Sequence, residues 1–376
     1  MKPAFQKIVL AAFSILLALF IAEILLRIFS TDQLYVWQPD LRHTFYPDTA
    51  IIQGVDGEKH FSINKNGMRG EVFRSGNDNY LCIGGSTTEC LYLDDKETWW
   101  HILQQELNKR AKEKIIIGSI GKSGTTTREH YIQMKYFAPK VKHLKGVIIM
   151  CGLNDLMIRL SRDSLFEKDF QFTKQAEDSL ASKIFLSNHK HKACWRKLMI
   201  FKLFQRFYHH IKPGGVKWLI QDDRGGSVKQ WRQNRQQASV LIDSLPDLSN
   251  ALEEYSRNIH LFIDEARKQN LDITFINQAA MYRDSMNAYE KGLLWMGGIG
   301  NFQSEPGHPY YSSFALRKGL ALYNQKLVEV CSMRNVKLVD IESALPRDTS
   351  AFYDDCHLNE NGAKILGEYL SGAMAQ

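Results

Sequence analysis

The chain has 376 residues, is 44% hydrophobic and 24% charged, and carries a formal net charge of +7. That length allows a large core in one elaborated domain or two, and the composition excludes a disordered or fibrous protein. The basic residues are scattered, the densest group being "KHKACWRK" at 190–197, and no nucleic-acid-binding motif accompanies them, so no nucleic-acid partner is expected.

In chain order, the first element is "IVLAAFSILLALFIAEILLRIF" at 8–29, preceded by Lys2 and Lys7. Its charge-free part runs from Ile8 to Ala22, and Glu23 and Arg27 beyond it are spaced to pair on one helix face. The whole span is long enough to cross a bilayer, and no small-x-small cleavage site follows it, so residues 1–30 read as an uncleaved anchor. The preceding lysines place the N-terminus in the cytoplasm and the remainder on the periplasmic or extracellular side, although Arg27 pulls the other way.

Residues 31–77 are rich in Gly, Asp, Asn and Pro with short β-like pieces, which predicts a hairpin-bearing lead-in rather than a separate domain. From 78 to the C-terminus strands and helices alternate. Strand "YLCI" precedes a helix around "TWWHILQQELNKRAK", and strand "KIIIGSI" precedes a helix at about 127–140. Strand "GVIIMCGL" then leads into a polar, basic and aromatic stretch without clear strands, read as a mostly helical insertion at about 157–250. The rhythm resumes with helix "ALEEYSRNIHLFIDEARKQN", strand "DITFINQ", helix "SSFALRKGLALYNQKLVEVCSMRN" and strand "VKLVDI", and closes with a helix from about Asn361. This alternation predicts a three-layer α/β/α sandwich on a parallel sheet of five strands.

Each predicted strand ends in residues with chemical potential, and the carboxyl ends of strands line the crevice of an open α/β sheet. The first leads to Gly84-Gly85-Ser86, the second to "GSIGKSGTTT" with Gly121 and Gly124, and the third to "GLND" with Asn154 and Asp155. The last leads to Asp354, Asp355 and His357. A serine hydroxyl needs a base, the base needs an acceptor that fixes its tautomer, and the tetrahedral oxyanion needs donors. Ser86, His357, a carboxylate three residues before it, the Ser86 N–H, a glycine N–H and the Asn154 amide meet that list, with no call for a cofactor or metal. Asp355 is the alternative orienting acid. Asp155 reads as a helix cap or turn former, His308 as an exposed loop histidine, and Trp99-Trp100 as core. The six cysteines contain no CxxC pair. Cys82 and Cys151 read as small core hydrophobes, and a Cys90–Cys356 disulfide, open to an exported domain, is not expected.

The ordered blocks "GGSTT", "GKSGTTT", "GLND" and "DDCHLNENG" resemble the SGNH/GDSL hydrolases over roughly residues 78–376, outside the insertion. "FSINKNGMRG" and the anchor with "AEILLR" are similar to a membrane-anchored bacterial branch of that group. The resemblance implies a flavodoxin-like SGNH hydrolase fold with Ser86 as nucleophile, His357 as base and Asp354 as its partner. The oxyanion hole would combine Ser86, Gly124 (with Gly121 as the fallback) and Asn154. The usual acid before the nucleophile is replaced by Gly85, which bears on substrate rather than on mechanism. The implied activity is that of a serine esterase cleaving an ester, such as an O-acetyl group of a surface carbohydrate or a lipid ester. An O-acyltransferase acting on an envelope polysaccharide and a catalytically silent envelope-assembly module are the alternatives.

Overall fold

The computed structural model describes residues 3–29, 34–162, 170–186 and 222–374. Residues 163–169 and 187–221, including the basic aromatic stretch at 190–197 and much of the expected insertion, lie outside the described residues.

Helix α1 (Pro3–Phe29) is followed by strands β1 (Arg42–Phe45) and β2 (Lys59–Ser62), which pair antiparallel. Then come β3 (Asp78–Gly84), the single turn α2 (Ser86–Glu89), α3 (Trp99–Asn108) and β4 (Ile115–Ser119). Helix α4 (Thr127–Ile132) continues as a π turn over Gln133–Phe137 and a 3-10 turn over Ala138–Lys140, ahead of β5 (Leu144–Met150) and α5 (Leu153–Ser161). The region that the sequence assigns to an insertion contains α6 (Lys174–Ile184), α7 (Gly226–Gln236) and, against expectation, a two-residue strand β6 (Leu241–Ile242). The remaining elements are α8 (Ser249–Lys268), β7 (Asp272–Ile276), α9 (Ala288–Gly292), β8 (Tyr310–Tyr311), α10 (Ser313–Arg334), β9 (Lys337–Val339) and α11 (Glu360–Met374). β6 pairs with β8 in parallel; two residues are too few to show a strand period in sequence.

The central sheet has the order β4-β3-β5-β7-β9, and every pairing in it is parallel. This is the flavodoxin-like order, whose direction reverses next to β3. β3 and β5 read as unbroken apolar runs because both of their faces are covered, and Leu81, Cys82, Ile83 and Ile149 are fully buried. Helix α3 packs on β4 and against α11, whereas α8 packs on β7 and against α4, α5 and α10, giving the three layers. Trp99 and Trp100 are fully buried where α3 meets the sheet, as expected of core residues.

The lead-in is tied into this core. Arg69 forms an antiparallel bridge with Ser119 at the end of β4 and is 2% exposed. In α1, Phe5–Leu25 has a mean hydropathy of 2.8, and most of its described side chains are exposed, Glu23 being buried. It is long and apolar enough to cross a membrane, a property that signal sequences share.

Candidate active site

β3 climbs out of the core and turns through Gly84-Gly85 into α2, which places Ser86 at the first helical position. The turn is tight by packing. A Cβ on Gly84 would lie 2.9 Å from the Met150 carbonyl, and one on Gly85 would lie 2.5 Å from Asn154 Nδ2. At the other end of α2, Cys90 adopts a left-handed conformation and its N–H reaches the Ser86 carbonyl at 3.0 Å. Arg69 closes this end: Nη1 donates to the Glu89 and Cys90 carbonyls at 2.7 and 2.9 Å, and Nη2 to the Leu93 carbonyl at 2.6 Å. A guanidinium fits here because three carbonyls with no helical partner converge on one fork of donors.

The turn between β9 and α11 brings in the histidine. Ser86 Oγ lies 2.7 Å from His357 Nε2 although 271 positions separate them in sequence. His357 Nδ1 lies 2.9 and 2.8 Å from Asp354 Oδ1 and Oδ2. Asp355 faces the other way: its carboxylate accepts from the Tyr282 hydroxyl at 2.9 Å and from the Trp295 N–H at 2.8 Å. Of the two acids, Asp354 therefore contacts the imidazole. Burial by itself would raise the Asp354 carboxyl, but His357 and the Trp295 indole N–H hold its pKa down to about 2. Burial likewise opposes charge on His357, yet the Asp354 carboxylate prevails and holds the imidazole pKa well above its usual value.

The loop after β4 supplies donors. Gly124 is in the left-handed region at φ 72°, and among the described residues its N–H has no backbone acceptor. The Gly121 N–H is already committed to Ser119 Oγ at 3.1 Å, and a Cβ there would lie 2.5 Å from the Glu89 nitrogen. Gly124 is thus the glycine with an N–H to offer, and Gly121 a close-packing residue under α2. Asn154, near the start of α5, spends one Nδ2 hydrogen on the Thr125 carbonyl at 2.8 Å and holds a second. Asp155 accepts from the Thr127 N–H at 3.1 Å and from its hydroxyl at 2.5 Å, satisfying the first turn of α4, and burial raises its pKa to about 7.

Several neighbours carry no sequence signal. Glu89 is buried, and its carboxylate accepts the Ser123 N–H at 2.6 Å as well as the Ser123 hydroxyl, tying α2 to the Gly124 loop. Trp295 and Tyr353 lie nearly parallel to the His357 ring. The Cys90 and Cys356 thiols are both free. His308 is half-buried, packs beside Gly300 and accepts from the Ser239 N–H through its carbonyl. The cleft beside Ser86 and His357 is walled by Thr87, Cys90, Tyr92, Leu93, Tyr353 and Leu358.

No curated protein matches the chain. Among solved structures it is similar to an acetylxylan esterase, Axe2, from Geobacillus stearothermophilus, at 13% identity and a TM-score of 0.43, over 81% of this chain and 97% of that one. It is also similar to a lipolytic protein of the G-D-S-L family from Veillonella parvula DSM 2008, at 10% identity and a TM-score of 0.40, over 79% and 98% of the two chains. Residues 82–365 match the model of the GDSL-like lipase/acylhydrolase family. The chain belongs to that family of hydrolases acting on ester bonds, the SGNH/GDSL hydrolases.

Proposed function

We propose that the protein is a serine esterase that removes short acyl groups, acetyl above all, from carbohydrate hydroxyls at the cell envelope. The observation that carries this reading is the continuous chain from Ser86 Oγ to His357 Nε2 at 2.7 Å and from His357 Nδ1 to Asp354 at 2.8 Å. As Ser86 Oγ attacks the ester carbonyl carbon, His357 Nε2 takes its proton and the imidazolium is stabilised by Asp354. The Ser86 and Gly124 N–H groups and the second Nδ2 hydrogen of Asn154 supply the oxyanion donors. His357 then returns the proton to the departing alcohol, leaving an acyl group on Ser86. Water, deprotonated by the same nitrogen, releases the acid and restores the serine.

The cleft supports the short acyl chain. Its walls are mostly apolar, with Tyr92, Leu93, Tyr353 and Leu358 set around Ser86 and His357. The hydropathy of α1 supports an anchor that holds the remaining chain at the outer face of the cytoplasmic membrane.

The test is turnover of nitrophenyl acetate, butyrate and octanoate, with and without a sugar acceptor. Turnover should fall steeply beyond butyrate, and Ser86→Ala should lose on the order of 10⁴–10⁶ in kcat. Full activity in Ser86→Ala would overturn the reading. Acyl transfer to the sugar in preference to water would replace hydrolase by transferase. Full-length protein recovered in the soluble fraction with its N-terminus intact would overturn the anchor.

A further inference from the structure

Asp354 is fully buried, and a buried carboxylate stays charged and fixed only if its acceptor sites are filled. Most of its donors come from its own turn. The Cys356 and His357 N–H groups reach Oδ1 at 3.0 and 2.9 Å, and His357 Nδ1 lies between the two oxygens. Oδ2 has one further donor, and it comes from another segment: Trp295 Nε1 donates to it at 2.8 Å across 59 positions of sequence. Were this N–H lost, Oδ2 would be held by the imidazole alone, and the carboxylate would be fixed from its own turn only, through the two backbone N–H groups on Oδ1.

Trp295 is well placed to resist such movement. Its own backbone N–H is bound by Asp355 Oδ2 at 2.8 Å, and its ring sits 4.5 Å from that of Trp231 on α7. Arg232, also on α7, donates to the Leu293 carbonyl at 3.0 Å and to the Tyr353 carbonyl at 2.5 Å. One buried guanidinium thus ties the Trp295 segment to the Asp354 turn. Arg235 binds the Met296 carbonyl from the same helix. The Trp295 ring is 5° from parallel with the imidazole at 6.4 Å between centroids.

We propose that Trp295 is a positioning residue: its indole N–H locks the Asp354 carboxylate so that His357 keeps Nδ1 on Asp354 and Nε2 on Ser86. This rests on the reading of Ser86, His357 and Asp354 as the triad. Helix α7, within the region the sequence assigns to an insertion, then serves the chemistry by bracing Trp295.

The test is Trp295→Phe in the full chain, which keeps an aromatic body and deletes the N–H. Its kcat on nitrophenyl acetate should fall on the order of tenfold, the scale of a lost hydrogen bond to a charged group, with KM nearly unchanged. The acid limb of kcat/KM should move to higher pH, because a carboxylate with one donor fewer holds the imidazolium more strongly. In an Asp354→Asn background the same replacement should change kcat by less than about twofold, since Trp295 acts through that carboxylate. In the wild-type protein, the Trp295 indole N–H resonance should titrate together with His357, a readout that requires no variant to fold. An unchanged kcat and acid limb in Trp295→Phe, or an indole resonance indifferent to the His357 titration, would overturn the proposal. Should Ser86→Ala keep its activity, the triad reading itself falls, a separate outcome.

Discussion

Asp354 and Asp355 are neighbours in sequence, yet they grip Trp295 from two sides: Asp354 accepts the indole N–H at 2.8 Å and Asp355 the backbone N–H at 2.8 Å. Both carboxylates are fully buried, and proximity to the charged Asp354 adds to burial in raising the Asp355 pKa. Their distinct partners give the two acids distinct consequences on substitution.

Asp354→Asn should leave the fold in place and lower kcat on the order of 10³–10⁴, because an amide nitrogen facing Nδ1 favours the wrong imidazole tautomer. Asp355→Asn should lower kcat far less and destabilise the chain by about 1–3 kcal/mol, since an amide cannot accept on both of its sides. Paired kinetics and thermal melts check the order. A larger kcat loss in Asp355→Asn would reverse the assignment of the orienting acid.

Gly85 stands where related nucleophile motifs carry an acid, and its Cα lies against the Asn154 amide. Its backbone angles, φ −85° and ψ −150°, are open to any residue, so the demand for glycine is steric. Gly85→Ala should push Asn154 Nδ2 aside and cost about as much as Asn154→Ala, on the order of 10²–10³ in kcat. The double replacement should cost little more than either single one. Additive losses would show that Gly85 acts by another route.

His357 must be neutral to accept the Ser86 proton, and Asp354 raises its pKa above the usual 6.5. The acid limb of kcat/KM should therefore lie above pH 6.5 and move down in Asp354→Asn, where the stabilising charge is gone. A limb at or below 6.5 in the wild type would contradict this.

Asp155 gives a stability signature. Its folded pKa of about 7 stands above the ordinary 3.8 because burial opposes its charge. The sign follows: its contribution is fully present below about pH 3.8 and is lost as pH rises through about 7. Asp155→Asn keeps an acceptor for Thr127 and cannot ionise, so its Tm relative to wild type should rise between pH 6 and pH 8. A constant difference across that range would rule out ionisation of Asp155 there.

The sheet was legible because a parallel strand covered on both faces is written as an apolar run, and those at 80–83, 115–119 and 146–150 each stop at a glycine or polar turn. Ser86 and Asn154 were legible because each follows such a strand within a few residues, whereas Asp354 and His357, well beyond the end of β9, were legible from their own three-residue spacing and the block "DDCHLNENG". Trp295 was not. It acts on a carboxylate 59 positions away, and "GLLWMGG" has no period that would set it apart. Arg232 and Arg235 were likewise hidden in a polar, basic stretch read only as a helical insertion, whereas both are buried on backbone carbonyls. The π turn that ends α4 left no mark either, because Gln133–Phe137 has ordinary helical composition and the first breaker, Pro139, comes only after it.

The lead-in arginine sets the smallest piece of this chain that can work. Arg69 lies outside the matched family segment, yet the carbonyls of Glu89, Cys90 and Leu93 all end on its guanidinium. A fragment trimmed to the family boundary would strip the guanidinium from all three oxygens and leave the Cys90 carbonyl only the Leu93 N–H at 3.1 Å, at the far end of the helical turn that holds the nucleophile. The enzyme's working unit thus reaches upstream of its recognisable motif, and a cut at that boundary parts the nucleophile turn from the side chain that closes it.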